Sequence, residues 1–126
     1  MDYVNTWGLY QCFKGTDDEL VAPDCRDDFF SLQPNGKVFQ CVSSEGDMIT
    51  LKYGDRLFVV NDSLYKNVKE PLYKVGEQVE IIEKGVVGKI VDVNWHFKEN
   101  APFYTVEIDG KKSGKRYTDS DLREVE

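Results

Sequence analysis

Residue types that commonly carry catalysis are sparse in this sequence. His96 is the only histidine, and the three cysteines, Cys12, Cys25 and Cys41, form no Cys-x-x-Cys pair and match no zinc-binding spacing. The sequence contains no nucleophile elbow, no His-Glu-x-x-His motif and no phosphate-binding glycine loop. We therefore expect a protein that is not an enzyme and that uses no metal or other cofactor.

Adjacent carboxylates are the remaining candidates for acid–base chemistry. Two aspartate pairs, at positions 17–18 and 27–28, lie in a polar connection over residues 16–28. Carboxylates in a long polar connection are usually solvated, so we expect this one to be exposed and mobile rather than catalytic. Residues 1–28 contain seven acids and two bases, and they therefore carry five of the seven net negative charges of the chain.

A concentrated negative surface suits a basic protein partner, because opposite charges raise the association rate and disfavour wrong partners. The predicted partner-binding residues are Asp17, Asp18, Glu19, Asp24, Asp27, Asp28 and Phe29. In its small size, its acidity and its lack of catalytic motifs the chain resembles immunity proteins and inhibitors. That resemblance implies a basic partner whose active site the protein would occupy. The alternative is that the acidity serves only solubility.

A second charged cluster is basic and lies closer to the C-terminus. Its residues are Lys111, Lys112, Lys115 and Arg116. Together with His96 they could bind RNA or another polyanion through phosphate contacts. A solvated hairpin tip explains the same residues, and the net charge of −7 argues against general affinity for nucleic acid. RNA or ribosome association is therefore the alternative function, and a structural adaptor subunit is a third.

The elements that must position these residues are predicted to be mainly strands. Short β-branched and aromatic runs alternate with glycine-containing turns, which predicts an antiparallel meander over residues 29–60, beginning with a strand at 29–32. The predicted turns are Asn35-Gly36, Glu45-Gly46-Asp47 and Tyr53-Gly54-Asp55. Such a meander needs a cover for one of its faces, which the N-terminal aromatic residues or the following barrel could supply.

The segments on either side of this meander are harder to assign. Residues 1–15 fit a helix by the spacing of their aromatic residues and a strand by their composition, and both are kept open. A short helix is predicted over residues 64–69, between the two halves of the chain. Asn61-Asp62-Ser63 would cap this helix, and Pro71 would end it.

Residues 73–126 are expected to form a small β-barrel. Strict alternation along residues 87–97 would turn His96 toward solvent. The residues expected to face the core are Val87, Val91, Val93, Trp95, Phe97, Tyr104, Val106 and Ile108. Asp109-Gly110 is expected to form a hairpin turn, and Leu122 to close one end of the barrel.

This pattern resembles the SH3-like barrels of the KOW and Tudor-like kind. The matching features are residues 75–79, the paired glycines within 85–91, and Asp121-Leu122. The resemblance covers residues 73–126 and implies binding of RNA, peptides or protein surfaces without catalysis. We therefore expect an N-terminal β-meander subdomain over residues 1–70 and an SH3-like barrel over residues 71–126. No internal repeat between the two halves is expected.

The N-terminal residues lack the pattern of a secretion signal, and no apolar run is long enough to span a bilayer. We therefore expect a cytoplasmic protein with no membrane partner. The sequence leaves open the oligomeric state and the identity of the partner. It also leaves open whether any of the three cysteines form a disulfide, and whether the two halves form one domain or two.

Overall fold

Ten β-strands and one α-helix form most of the regular structure of residues 3–125, the part of the chain that the computed structural model describes. The strands are β1 (Trp7–Tyr10), β2 (Val38–Glu45), β3 (Met48–Tyr53), β4 (Arg56–Asn61), β5 (Tyr65–Val68), β6 (Gln78–Ile81), β7 (Val86–His96), β8 (Ala101–Ile108), β9 (Lys111–Tyr117) and β10 (Leu122–Glu124). The helix is α1 (Arg26–Ser31). They form two antiparallel sheets, which confirms the prediction of a mainly β fold.

The chain divides into two compact units, Met1–Glu70 and Pro71–Glu126. In the first unit the strand order is β4-β3-β2-β1-β5. Strands β2, β3 and β4 form the predicted meander, and two-residue turns with a glycine at positive φ join them at Gly46-Asp47 and Gly54-Asp55. Of the two alternatives kept open for residues 1–15, the structure has a strand at β1, which pairs with both β2 and β5, while residues 1–2 lie outside the described part of the chain.

The helix α1 replaces the strand predicted over residues 29–32. Asp27 and Asp28 lie in its first turn, where carboxylates favour a helix because of the positive end of its dipole. Phe29 is 0% exposed, and its ring packs on the inner face of the sheet. The helix therefore covers that face, and the turn at Asn35-Gly36 leads from the helix into β2 instead of joining two strands.

The helix predicted over residues 64–69 is also wrong. Asn61 does act as a cap, because its Oδ1 accepts a hydrogen bond of 2.9 Å from the Ser63 N–H. The cap begins only one 3-10 turn, Asp62–Leu64, and the chain continues as β5. As a strand, β5 pairs with β1 along its whole length, which gives its backbone groups hydrogen-bond partners. A short helix that ends before Pro71 would provide partners for fewer backbone groups.

In the second unit the strand order is β10-β6-β7-β8-β9. A β-bulge at Val91 shifts the register of β7 against β8, and strict alternation along β7 is therefore wrong. Gly88 and Ile90 are buried before the bulge, and Val93 and Trp95 are buried after it. Val87 and Phe97 were wrongly expected in the core, since they are 46% and 55% exposed. Val91, also expected there, is only half-buried at the bulge.

Strand β8 follows its predicted alternation more closely. Tyr104 and Val106 are fully buried, whereas Ile108 is half-buried at the end of the strand. Asp109 and Gly110 both have positive φ, at 52° and 79°, as the predicted two-residue hairpin turn between β8 and β9 requires. Leu122 is buried at the start of β10, as expected.

The two units have the same topology, although no internal repeat was expected. In each, four strands follow one another in an antiparallel meander, a 3-10 turn follows the fourth, and the fifth strand pairs with the first. The second strand carries a bulge at the equivalent position, Val42 in the first unit and Val91 in the second. The sequence signal is short, consisting of the Asp-Ser pairs at 62–63 and 119–120 in the two 3-10 turns.

Tyr104 supplies a testable hydrogen bond in the core of the second unit. Its hydroxyl donates to Asp119 Oδ1 at 2.6 Å and accepts from the Tyr73 N–H at 3.3 Å. Burial, together with the hydrogen bond to Asp119, raises the pKa of Tyr104 above its ordinary value of 10.0, so the hydroxyl stays protonated and can donate.

The substitution Tyr104→Phe should lower the free energy of unfolding by about 1–3 kcal/mol, because it leaves the buried Tyr73 N–H without its acceptor. Urea denaturation followed by amide signals of the second unit measures the loss. Tyr117→Phe is the matched control. Tyr117 is equally buried, but its hydroxyl accepts a long and therefore weak hydrogen bond, of 3.4 Å, from the side chain of Ser113. Equal losses in the two variants would contradict this account of Tyr104.

Candidate functional site

The acidic segment, defined here as residues 17–28, is folded. It contains the 3-10 turns Asp18–Leu20 and Pro23–Cys25 and the start of α1. Asp17 Oδ2 accepts a hydrogen bond from the Phe13 N–H at 2.9 Å, and Asp18 Oδ1 accepts one from the Gly15 N–H at 2.6 Å. The connection is therefore folded and not an irregular loop, because these two carboxylates bind backbone donors of the turn before them. The expected solvation holds for Glu19, Asp24, Asp27 and Asp28, which are exposed.

The acidic segment is also attached to the edge of the sheet. Val21 forms a bridge with Val60, the Ala22 N–H donates to the Val59 carbonyl at 2.9 Å, and the Val59 N–H donates to Cys25 Sγ at 3.3 Å. The edge strand β4 is thus covered by the acidic segment along these residues. A covered edge is protected from pairing with another chain.

Arg26, the one basic residue of the acidic segment, is half-buried and bound to the backbone. Its Nε and Nη2 atoms donate to the Val21 carbonyl at 3.2 and 2.9 Å. The guanidinium group therefore stabilises the turn that leads into α1. The exposed carboxylates of the acidic segment are left to set the charge of its outer surface.

The predicted partner-binding residues separate into three groups in the structure. Four are exposed, namely Glu19, Asp24, Asp27 and Asp28. Asp17 and Asp18 are half-buried and bind the backbone. Phe29 is fully buried against aromatic rings of the sheet, so its assignment as a partner contact is corrected: it is a core residue.

A groove of about 240 Å³ lies beside the acidic segment. Its lining residues are Cys12, Phe13, Lys14, Phe30, Gln33, Pro34 and Asn35. Its two walls are joined by hydrogen bonds, from the Cys12 N–H to Asn35 Oδ1 at 2.6 Å and from the Gly36 N–H to Gln11 Oε1 at 2.7 Å. The sequence does not reveal this groove, because its two walls, residues 12–14 and residues 30–35, are far apart in the chain.

The groove lies in the negative field of the acidic segment. Burial is the main cause that raises the pKa of Cys12 to about 11, and the charges of Asp17 and Asp18 add to the shift. The thiol is therefore neutral near pH 7. The same two carboxylates that shift the thiol would attract a positive group bound in or beside the groove.

Two residues of the basic cluster near the C-terminus form ion pairs with acids of the same unit. Lys112 Nζ lies 3.7 Å from Asp92 Oδ2, and Lys115 Nζ lies 3.1 Å from Glu83 Oε2. Lys111 is exposed at the start of β9. Two of the four basic residues thus already form ion pairs with carboxylates, which reduces the attraction of the cluster for phosphates.

The other two residues predicted to bind a polyanion meet at one aromatic ring. The Arg116 guanidinium carbon lies 5.0 Å from the centre of the Phe103 ring, and the His96 ring lies 6.0 Å from the same centre. His96 is exposed, and its Nδ1 accepts a hydrogen bond from the Glu99 N–H at 3.1 Å. We therefore add Phe103 to the residues that could bind a polyanion, because its ring stacks with the guanidinium group of Arg116.

Within residues 3–125, no cluster of three or more histidine, cysteine, aspartate or glutamate side chains is placed to hold a metal ion. No helix in that same part of the chain is long and apolar enough to cross a membrane.

The chain belongs to the family described as a family of unknown function, DUF6960, which matches residues 1–123. No curated protein is significantly similar to it. No solved structure matches it either.

The three thiols should differ in their reaction with iodoacetamide. Cys25 is partly exposed at the edge of β4, whereas Cys12 and Cys41 are buried. We expect Cys25 to be alkylated at least about tenfold faster at pH 8, since the reagent needs access to a thiolate. Peptide mapping by mass spectrometry measures the rates. In denaturing urea the three rates should converge, and a fast reaction at Cys12 in the folded protein would contradict the burial of that thiol.

Proposed function

We propose that this protein is a non-enzymatic protein-binding module that binds a basic partner through the acidic segment. One observation carries the proposal: four exposed carboxylates lie on a segment that the sheet holds in place. They are Glu19, Asp24, Asp27 and Asp28. A segment that is already ordered loses less conformational entropy on binding than a mobile one, so its charges contribute more fully to affinity.

The charge distribution supports the same proposal. The single guanidinium group of the acidic segment donates to the Val21 carbonyl, and it is held close to the backbone. A concentrated negative surface steers a basic protein toward it and raises the association rate. In the sharpest version of the proposal, the protein is a cytoplasmic inhibitor or immunity protein that covers the basic active site of its partner.

The fold proposal that accompanies this function is a pair of SH3-like units. Support comes from the strand order of the second unit, in which a four-strand meander and a 3-10 turn lead to a fifth strand that pairs with the first. The first unit has the same order, so the proposal extends to it. Small barrels of this kind bind through their surface loops, which agrees with a site on the long connection between β1 and β2.

The test compares two variants with equal changes in net charge. The first carries Glu19→Gln, Asp24→Asn, Asp27→Asn and Asp28→Asn. The second, a control, carries Glu45→Gln, Asp55→Asn, Glu77→Gln and Glu99→Gln at other exposed positions. A partner is isolated on the wild-type protein by affinity capture and eluted with a salt gradient, and its association with each variant is then measured by stopped flow.

We expect the first variant to associate at least about tenfold more slowly at low salt, and the control to stay close to wild type, because local charge governs steering. Equal slowing of both variants would show that only net charge matters. A captured protein that is acidic, or whose binding does not depend on salt, would contradict the proposed partner.

A second candidate function, binding of single-stranded RNA, is supported by a separate observation. The exposed His96 and the Arg116 guanidinium both contact the Phe103 ring, and such an arrangement can stack with a base and contact a phosphate. Phe103→Ala combined with Arg116→Gln should then weaken binding of a fluorescent random RNA by about tenfold or more, since one stacked base is worth about 1–3 kcal/mol. Lys98→Gln is the control, and an RNA that binds neither wild type nor variant at low salt would remove this candidate.

A further inference from the structure

Phe13 is unusually exposed for an aromatic residue in the first unit. It is 58% exposed and forms one wall of the groove, and Phe30 forms part of the opposite wall. An exposed aromatic ring in a concave, mostly apolar site is a typical anchor point for a partner side chain. The volume of the groove decides what kind of group it can hold.

The groove is small for a metabolite but suitable for one side chain. Its volume of about 240 Å³ lies below the range of about 300–1,000 Å³ that is usual for small-molecule sites. A single large apolar side chain on a protein segment is an occupant of the right size. The hydrogen bonds that Asn35 and Gln11 accept from the opposite wall hold the groove open without a ligand.

The walls of the groove are also fixed in position by packing. The Phe30 ring lies 6.0 Å from the ring of Phe29, which is buried in the core. Phe13 follows Cys12, which is buried as well, and its backbone N–H is bound by Asp17. An apolar side chain could therefore enter the groove at little cost in ordering the protein.

The charges around the groove identify the chemistry of the segment that would carry this side chain. Asp17 lies beside Phe13 on one wall, and Asp27 precedes Phe30 by three residues on α1, which places both on one helix face. Lys14 is the only charged residue among the seven that line the groove, so the carboxylates lie outside its lining and would act on cations beside the bound side chain. Positive charges on either side of the bound apolar residue would meet carboxylates at both walls.

We infer that the groove is the anchor site for a basic protein segment, in which one large apolar side chain is flanked by lysine or arginine. The inference rests on the proposed function and specifies the partner that the acidic segment recognises. The aromatic walls would take up the apolar side chain, while Asp17, Asp27 and the neighbouring exposed carboxylates would bind the flanking cations. Charge thus sets the rate of association, and the groove sets which segment is held.

Three synthetic peptides of equal length test the inference. The first has a central tryptophan with a pair of lysines on each side, the second has alanine in place of the tryptophan, and the third keeps the tryptophan but has glutamates in place of the lysines. Each is titrated into the full-length protein labelled with nitrogen-15, and the amide shifts are followed. The lysine–tryptophan peptide should shift the amides of the groove, at Phe13, Phe30 and Asn35, and bind at least about tenfold more tightly than the other two, which corresponds to 1.4 kcal/mol.

The variant Phe13→Ala should remove this difference between the tryptophan and alanine peptides. Its matched control is Leu57→Ala, since Leu57 lies in the same unit and is 57% exposed. Both substitutions remove an exposed apolar side chain, so neither should disturb folding strongly, and circular dichroism verifies this. An equal loss of binding in the two variants would overturn the inference.

The outcomes separate this inference from the proposed function. If both lysine peptides shift only the amides of the acidic segment, and do so equally, the acidic surface binds cations but the groove anchors nothing. If the glutamate–tryptophan peptide binds the groove as tightly as the lysine–tryptophan peptide, the site is apolar and the proposed charge recognition fails. Groove shifts on simple dilution of the protein would show that a second copy of the chain occupies it, which also overturns the inference.

Discussion

The packing of the Phe29 ring against the sheet fixes the helix that joins the acidic segment to the groove. The ring lies 5.7 Å from Tyr10, 5.7 Å from Phe39 and 5.1 Å from Phe58, measured between centres. These contacts fix a helix of only six residues, which would not be stable alone in water. The acidic segment ends in this helix and one wall of the groove begins from it. Binding surface and hydrophobic core are therefore parts of one arrangement.

The features of the fold that depend only on residues adjacent in the sequence could be predicted. Glycine turns such as Gly46-Asp47 and Asp109-Gly110 follow from backbone conformations that only a few residues adopt easily. The helix α1 could not be predicted, because a short apolar run such as residues 29–32 fits a helix and a strand equally well until its burial is known. The groove escaped prediction for a related reason, since Cys12 and Asn35 meet only in the folded chain.

A limit on interior space is common to both units. The first two strands of the first unit pair Gly8 with Phe39, and those of the second unit pair Val79 with Gly88. A β-carbon added at Gly8 would overlap the Tyr65 ring, and one added at Gly88 would overlap Val106. At this pair each interior therefore holds only one side chain. In the first unit it is Phe39 from the second strand, and in the second unit it is Val79 from the first strand. The same topology is filled by two different packing solutions.

The pairing of the fifth strand with the first also brings the two ends of each unit together. Trp7, at the start of β1, is the partner of Val68 at the end of β5, and Val79 in β6 is the partner of Glu124 in β10. A module that begins and ends at one place can be copied in tandem, inserted into another chain or circularly permuted without rearranging its interior. Each half of this protein has that modular geometry, which gives a simple structural route to a chain built from one topology used twice.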